Sequence, residues 1–203
     1  MLAAVILAAG ESRRMGTPKA LLPLPGKRQP GEHAKTFLEH LLGVVRHPRI
    51  SVHRVVLGAH ADEIRRQVSL NPECIVINHE WQKGQLASIQ VALGSLPVGA
   101  TDGMLLCPVD HPMISPALVD QLIRTFYESG KLIVIPTYQG KRGHPVIFSS
   151  RLYGALLTAP HEIGARAVVW AHANNVAEMP TEEESVILNL NDPETYDRVV
   201  RTG

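Results

Sequence analysis

Residues 4–24, AVILAAGESRRMGTPKALLPL, change character twice within their length. Positions 3–8 are apolar without interruption, the pattern of a strand buried on both faces as in a parallel sheet. The chain then turns polar between Gly10 and Gly16, with Arg13 and Arg14 inside, and Thr17-Pro18-Lys19 leads back to apolar Ala20-Leu21-Leu22. A buried strand releasing into a Gly-punctuated basic loop is how an α/β protein builds an anion site, because glycine lets backbone N–H groups approach phosphate oxygens closely. The stretch reads as a phosphate cradle; the alternative is a basic surface loop after a strand.

Two familiar phosphate loops do not fit. A P-loop needs Gly-Lys followed by Ser or Thr, whereas Gly16 is followed by Thr17-Pro18-Lys19 and no magnesium-binding hydroxyl comes after the lysine. The dinucleotide fingerprint G-x-G-x-x-G fails as well. Gly10 has Glu11-Ser12 behind it and two arginines where helix packing wants small residues.

The rest of the chain sets bounds. At 203 residues it suffices for one α/β domain, 1–203, and is short for two. Hydrophobic residues make up 45% and charged residues 19%, ordinary globular values that set disorder aside. A net charge of +1, with no Lys/Arg stripe beyond the first loop, gives no pull toward nucleic acid. No apolar run approaches the ~20 residues that span a bilayer, so no membrane partner is expected. The arginines follow the apolar run at 1–9 instead of preceding it, the wrong order for a secretory signal. Cys74 and Cys107 lie in apolar, strand-like contexts without metal-ligand spacing, and read as buried free thiols in a reducing cytoplasm.

Along the chain, 25–35 is turn-rich and predicts an exposed loop. Phe37, Leu38, Leu41, Leu42 and Val45 predict a helix, 52–57 a strand, 61–68 a short helix and 74–77 a third strand. That alternation is the signature of a parallel sheet with right-handed crossovers. Residues 104–107 predict a fourth strand, 116–127 an amphipathic helix and 132–135 a further strand. Helices are expected at 151–157 and 164–169, and a closing strand at 186–190. Asp192 is well placed to cap a last helix with Pro193 in its first turn.

Four later segments carry polar residues of interest. The first is Asn78, Trp81, Gly84 and Ser88 at the opening of a helix, where capping or packing is a competing explanation. Asp110 stands between Pro108 and Pro112 at the carboxyl end of a central strand, where open α/β sheets bind ligands, and a carboxylate there can coordinate Mg²⁺. An Asp-capped turn is the competing account. Third, Gly140-Lys141-Arg142-Gly143-His144-Pro145 places an Arg and a His on a Gly-rich loop, with His144 alternatively bonding backbone at a strand start. The two glycines are expected to make that loop flexible. Last is Asp192 itself.

Leu7-Ala8-Ala9-Gly10, Arg14-Met15-Gly16, Pro18-Lys19 and Leu21-Leu22 resemble the opening signature of the MobA-like nucleotidyltransferases, a family that includes molybdenum cofactor cytidylyltransferases. The later segments are similar to the family's as well, from Asn-x-x-Trp and Gly-x-x-x-Ser through Arg-Gly-His-Pro-Val and Gly-Ala-Arg to Asp-Pro-Glu. One departure is that Val109 and His111 flank the aspartate where relatives read Gly-Asp-Gln-Pro. The resemblance implies a single-domain, three-layer, Rossmann-like α/β fold with a mostly parallel central sheet. It implies a Mg²⁺-dependent nucleotidyltransferase, CTP favoured, acting on a phosphorylated acceptor such as molybdopterin and releasing pyrophosphate. Nucleotide-binding residues would be Leu7, Ala8, Ala9, Gly10, Arg14, Lys19, Asn78, Gly84 and Ser88. Arg14, Lys19 and Asp110 would be catalytic, Asp110 and Asp192 would hold the metal, and Arg142 and His144 the acceptor. A molybdoenzyme would be the protein partner.

Such a transfer needs charge neutralised and phosphates aligned, with little covalent chemistry from the protein. The lack of a Ser-His-Asp or Cys-His constellation therefore costs it nothing. The alternatives are a nucleotidyltransferase for sugar phosphates and, in a different class, a non-catalytic cofactor-binding accessory protein. An NAD-dependent oxidoreductase is disfavoured by the missing fingerprint.

Overall fold

A computed structural model describes residues 1–26 and 34–202. β1 (Leu2–Ala8) is buried along its whole length. Leu2, Ala4, Ile6 and Ala8 enter one core and Ala3, Val5 and Leu7 the other, which is why the sequence shows no polar alternation there. Parallel neighbours flank it on both sides, β2 (Ile50–Leu57) and β4 (Gly103–Pro108). β3 (Ile75–Ile77) extends the sheet beyond β2. On the other side β7 (Val146–Ser149) runs antiparallel between β4 and β5 (Ile133–Tyr138), β6 (Lys141–Arg142) forms a hairpin with β5, and β8 (Val176–Pro180) lies parallel to β5. The path is β3-β2-β1-β4-β7-β5-β6 with β8 on β5, a mixed and mostly parallel sheet of eight strands.

Helices cover both faces. α1 (Phe37–Val44), α2 (Ala61–Gln67) and α4 (Pro116–Ser129) pack on one core, joined by α7 (Pro193–Thr202). α3 (Gln85–Gly94), α5 (Tyr153–Leu157) and α6 (Arg166–Ala171) pack on the other. The result is the expected three-layer Rossmann-like arrangement. Local signals set the boundaries. Thr36 and Glu39 form a reciprocal capping box on α1, the Ser115 hydroxyl accepts the Leu118 N–H on α4, and Asp192 Oδ1 accepts the Thr195 N–H on α7 at 2.8 Å.

Two expectations need correction. Residues 186–190 form no strand; a single 3-10 turn, Glu184–Val186, leads into an irregular segment. Val186 and Leu190 are fully buried, but the Val186 carbonyl accepts from His144 N–H and the Leu190 N–H donates to the Asp110 carbonyl. A short apolar run signals burial and not ladder pairing, and β8 holds the place beside β5. Cys107 is buried as expected, whereas Cys74 is half-exposed at the end of a 3-10 turn. Most of the predicted loop at 25–35 lies outside the described residues, although the Leu24 N–H to Lys35 carbonyl bond of 2.8 Å brings its ends together. No helix among the described residues is long and apolar enough to cross a membrane.

Candidate active site

The carboxyl ends of β1 and β4 open into a cleft of about 200 Å³. Leu7, Ala8, Ala9, Gly10, Lys19, Gly84, Ser88 and Asp110, eight of the sequence-predicted residues, line it. Ser12 adopts a left-handed backbone (φ 57°), and its Oγ accepts the Lys19 N–H at 3.0 Å, which fastens the far end of the loop to its start. The β2–α2 connection braces the loop from behind. The Ala59 N–H donates to the Ala9 carbonyl, and a ring nitrogen of His60 lies 3.0 Å from the Glu11 carbonyl. Gly58 permits this contact, since a Cβ there would stand 2.5 Å from the Ala9 carbonyl oxygen.

Lys19 Nζ reaches to 3.4 Å from Asp110 Oδ2 and also bonds Asn191 Oδ1. Asn189 Nδ2 donates to the same Asp110 oxygen at 3.2 Å, leaving Asp110 Oδ1 without a bond among the described residues. Sequence reasoning missed both asparagines. Their signal was the alternation in Asn189-Leu190-Asn191, which faces two amides to one side and a leucine to the other. Asn189 Oδ1 is buried with no hydrogen-bond partner among the described residues.

Not every predicted residue lines the cleft. Asn78 is buried behind it; its Nδ2 donates to Ser88 Oγ at 2.9 Å and its Oδ1 accepts the Glu80 N–H, so it orients Ser88. Arg14 is exposed and is not among the lining residues. Its charge acts on Asp192, whose carboxyl is held below the usual range first by the Thr195 backbone and hydroxyl and then by Arg14 and Arg198. Asp192 therefore does cap α7.

A second cleft of about 530 Å³ opens between α3, the β6–β7 strands and α6, and Arg142 and His144 both line it. Arg142 also pairs with Glu178 of β8 at 2.7 Å. The glycines flanking that arginine each have a geometric reason. Gly140 takes a left-handed φ of 74° in the tight β5–β6 turn, and a Cβ on Gly143 would stand 2.2 Å from the Val186 carbonyl oxygen. The His144 ring lies against His111, tilted by 39° with centroids 4.8 Å apart. Burial, and then the neighbouring His111, push its pKa down to about 4, so it enters the cleft as a neutral ring. Burial also lowers His111, whose Nδ1 has no hydrogen-bond partner among the described residues.

No group of three or more His, Cys, Asp or Glu side chains among the described residues could hold a metal ion unaided. The oxygen donors that are present, the open Asp110 Oδ1 above all, fit a hard divalent cation that takes its remaining ligands from phosphates and water.

A mostly parallel sheet with a glycine-containing loop, a lysine and a carboxylate at the carboxyl ends of its central strands is the Rossmann-like arrangement, with a cleft where open α/β sheets bind ligands. The chain belongs to the MobA-like NTP transferase domain family, whose model matches residues 4–176. Among relatives, nicotine blue oxidoreductase of Paenarthrobacter nicotinovorans is 32% identical over 80% of this chain and 78% of its own. Purine catabolism protein PucB of Bacillus subtilis is 27% identical over 97% of this chain and 95% of its own. A probable molybdenum cofactor guanylyltransferase of Rhodopirellula baltica is 33% identical over 64% of this chain and 58% of its own. Rv0371c of Mycobacterium tuberculosis superposes with a TM-score of 0.83 at 27% identity, covering 98% of this chain and 97% of that one. A structure of Rv0371c in complex with manganese superposes with a TM-score of 0.74 at 25% identity, covering 100% of this chain and 99% of that one.

Proposed function

We propose that this protein transfers a nucleoside monophosphate, from CTP by preference, to a phosphorylated acceptor of the molybdopterin type, with release of pyrophosphate. The observation that carries the reading is the meeting of Lys19 with Asp110 in the cleft floored by the backbone of Leu7, Ala8, Ala9 and Gly10. Backbone N–H groups after Ala9, with Lys19 and Arg14, hold the β- and γ-phosphates, and Ser88, oriented by Asn78, lies beside the base and ribose beyond Gly84. The acceptor lies in the second cleft against Arg142 and His144. An acceptor phosphate oxygen forms its bond to the α-phosphorus as the bond to the bridging oxygen breaks, and that electron pair leaves on pyrophosphate. The attacking oxygen is already anionic near neutral pH, so no general base is needed. Asp110 and Asp192 would hold Mg²⁺, which supplies charge neutralisation on the phosphates.

Retention of both Lys19 and Asp110 favours catalysis over a non-catalytic accessory role. A relative named for guanylyl transfer to the molybdenum cofactor supports the acceptor class and makes GTP the rival donor; a sugar phosphate is the rival acceptor. The name of the oxidoreductase relative supplies a second reading, against which stands the absent dinucleotide fingerprint. Incubation of CTP labelled on its α-phosphorus with molybdopterin and Mg²⁺ tests the proposal. Label appearing in a molybdopterin product supports it. Label remaining in CTP, while the protein oxidises or reduces a nicotinamide cofactor, favours the second reading.

A further inference from the structure

Gln85 is the residue that lines both clefts. It is the first residue of α3 and follows Gly84, whose φ of 92° turns the chain sharply into the helix. One turn later, on the same side of the helix, Ser88 faces the nucleotide cleft, and Leu86 faces the second cleft. Gln85 is exposed, and its side-chain amide makes no hydrogen bond to any described residue. Three other polar side chains of the two clefts are committed elsewhere. Ser88 is held by Asn78, Lys19 by Asp110 and Asn191, and Arg142 by Glu178.

We propose that Gln85 bridges the two substrates and sets the specificity of their alignment. The inference rests on the assignment of the two clefts to nucleotide and acceptor. An amide suits the position because it offers two N–H donors to phosphate oxygens and one carbonyl acceptor to a hydroxyl or ring N–H, so it can bind unlike partners simultaneously. It also adds no negative charge where two anions converge. A group that joins both reactants contributes to their relative orientation, which acts on turnover more than on the affinity of either one.

Two measurements test this. In the first, a Gln85→Cys variant is labelled with a maleimide, and modification at that position is followed by peptide mass with CTP alone and with molybdopterin alone. Cys107 is buried and Cys74 half-buried, so both native thiols are separable by peptide. Protection by each ligand separately is expected; protection by one or by neither overturns the bridging role. In the second, Gln85→Ala is expected to lower kcat by about tenfold or more while both KM values stay within about threefold. Gln85→Asn, whose amide is drawn back by one methylene, is not expected to restore the rate. A kcat within about twofold of wild type, or a rise in one KM alone, contradicts the proposal. Protection by both ligands without any transfer by the wild-type protein would overturn the assigned activity and leave the seam intact. Transfer without double protection would do the reverse, and absence of both would overturn the two together.

Discussion

Lys19 Nζ and Asp110 Oδ2 lie 3.4 Å apart although 91 positions separate them in the chain. The contact exists because β1 and β4 are parallel neighbours, so the loops leaving their carboxyl ends face one another. Both side chains are mostly buried, with 16% and 20% of their surface exposed. A cation and a carboxylate are thereby held side by side in the cleft, where the proposed function would set one against the triphosphate and the other against its metal ion.

Lys19→Ala is expected to lower turnover by at least about a hundredfold with little change in thermal unfolding. The substitution removes a fixed charge from the place where charge develops and lies in a 3-10 turn outside the sheet. Steady-state rates beside a melting curve check it, and near-wild-type turnover would return the loop to a surface feature.

Asp110→Asn is expected to remove most metal binding, and Asp192→Asn to weaken it less. Asp192 has a capping bond to Thr195 that asparagine can keep, whereas Asp110 holds an oxygen open toward the cleft. Titrating activity against Mg²⁺ for each variant distinguishes them. Equal losses would make both carboxylates ligands of similar weight.

The polar loop after β1, the positions of β1 to β5 along the chain and the placing of Asp110 at the end of β4 were legible in the sequence. Each rests on a local signal: an unbroken apolar run, a pair of glycines, prolines on either side of a carboxylate. The asparagine partners of Lys19 and Asp110 were not. Asn189 and Asn191 arrive from a segment that looks like a strand and behaves as a buried irregular strap, and only tertiary contact with the Asp110 loop gives them a role. Glu178, which pairs with Arg142, was equally invisible, because nothing in 176–180 announces an edge strand against β5.

Arg142→Ala is expected to raise the acceptor KM by about tenfold and leave the nucleotide KM nearly unchanged. Glu178→Gln frees the guanidinium from its ion pair and is expected to lower the acceptor KM. Loss of nucleotide affinity in either variant would move the acceptor site elsewhere.

Gly58→Ala is expected to destabilise the protein by about 1–3 kcal/mol, the usual cost of overpacking. A methyl group there meets Ala9 and the Trp81 Cβ within 3 Å, so the loop after β1 or the Trp81 segment must shift. Chemical denaturation beside a nucleotide-binding isotherm checks it, and an unchanged isotherm would show that the brace does not position the loop.

Stability is expected to fall as the pH drops from about 6.5 toward 4. The unfolded chain gains a proton on His144 near pH 6.5 that the folded state refuses until about pH 4, so the contribution is complete above 6.5 and lost on the way down. Each pH unit between those values is worth about 1.4 kcal/mol. His111, also lowered by burial, adds slope of the same sign in both proteins. Urea unfolding across this range should be flatter for His144→Asn than for wild type; parallel curves would contradict the assignment.

The central claim is nucleotidyl transfer, and the direct measurement is pyrophosphate release from each of the four nucleoside triphosphates, with and without molybdopterin or a sugar phosphate. Release is expected from CTP in preference to the others, only when molybdopterin is present, and is lost in Lys19→Ala. Pyrophosphate release from none of the four with any acceptor, by folded protein supplied with Mg²⁺, would contradict it.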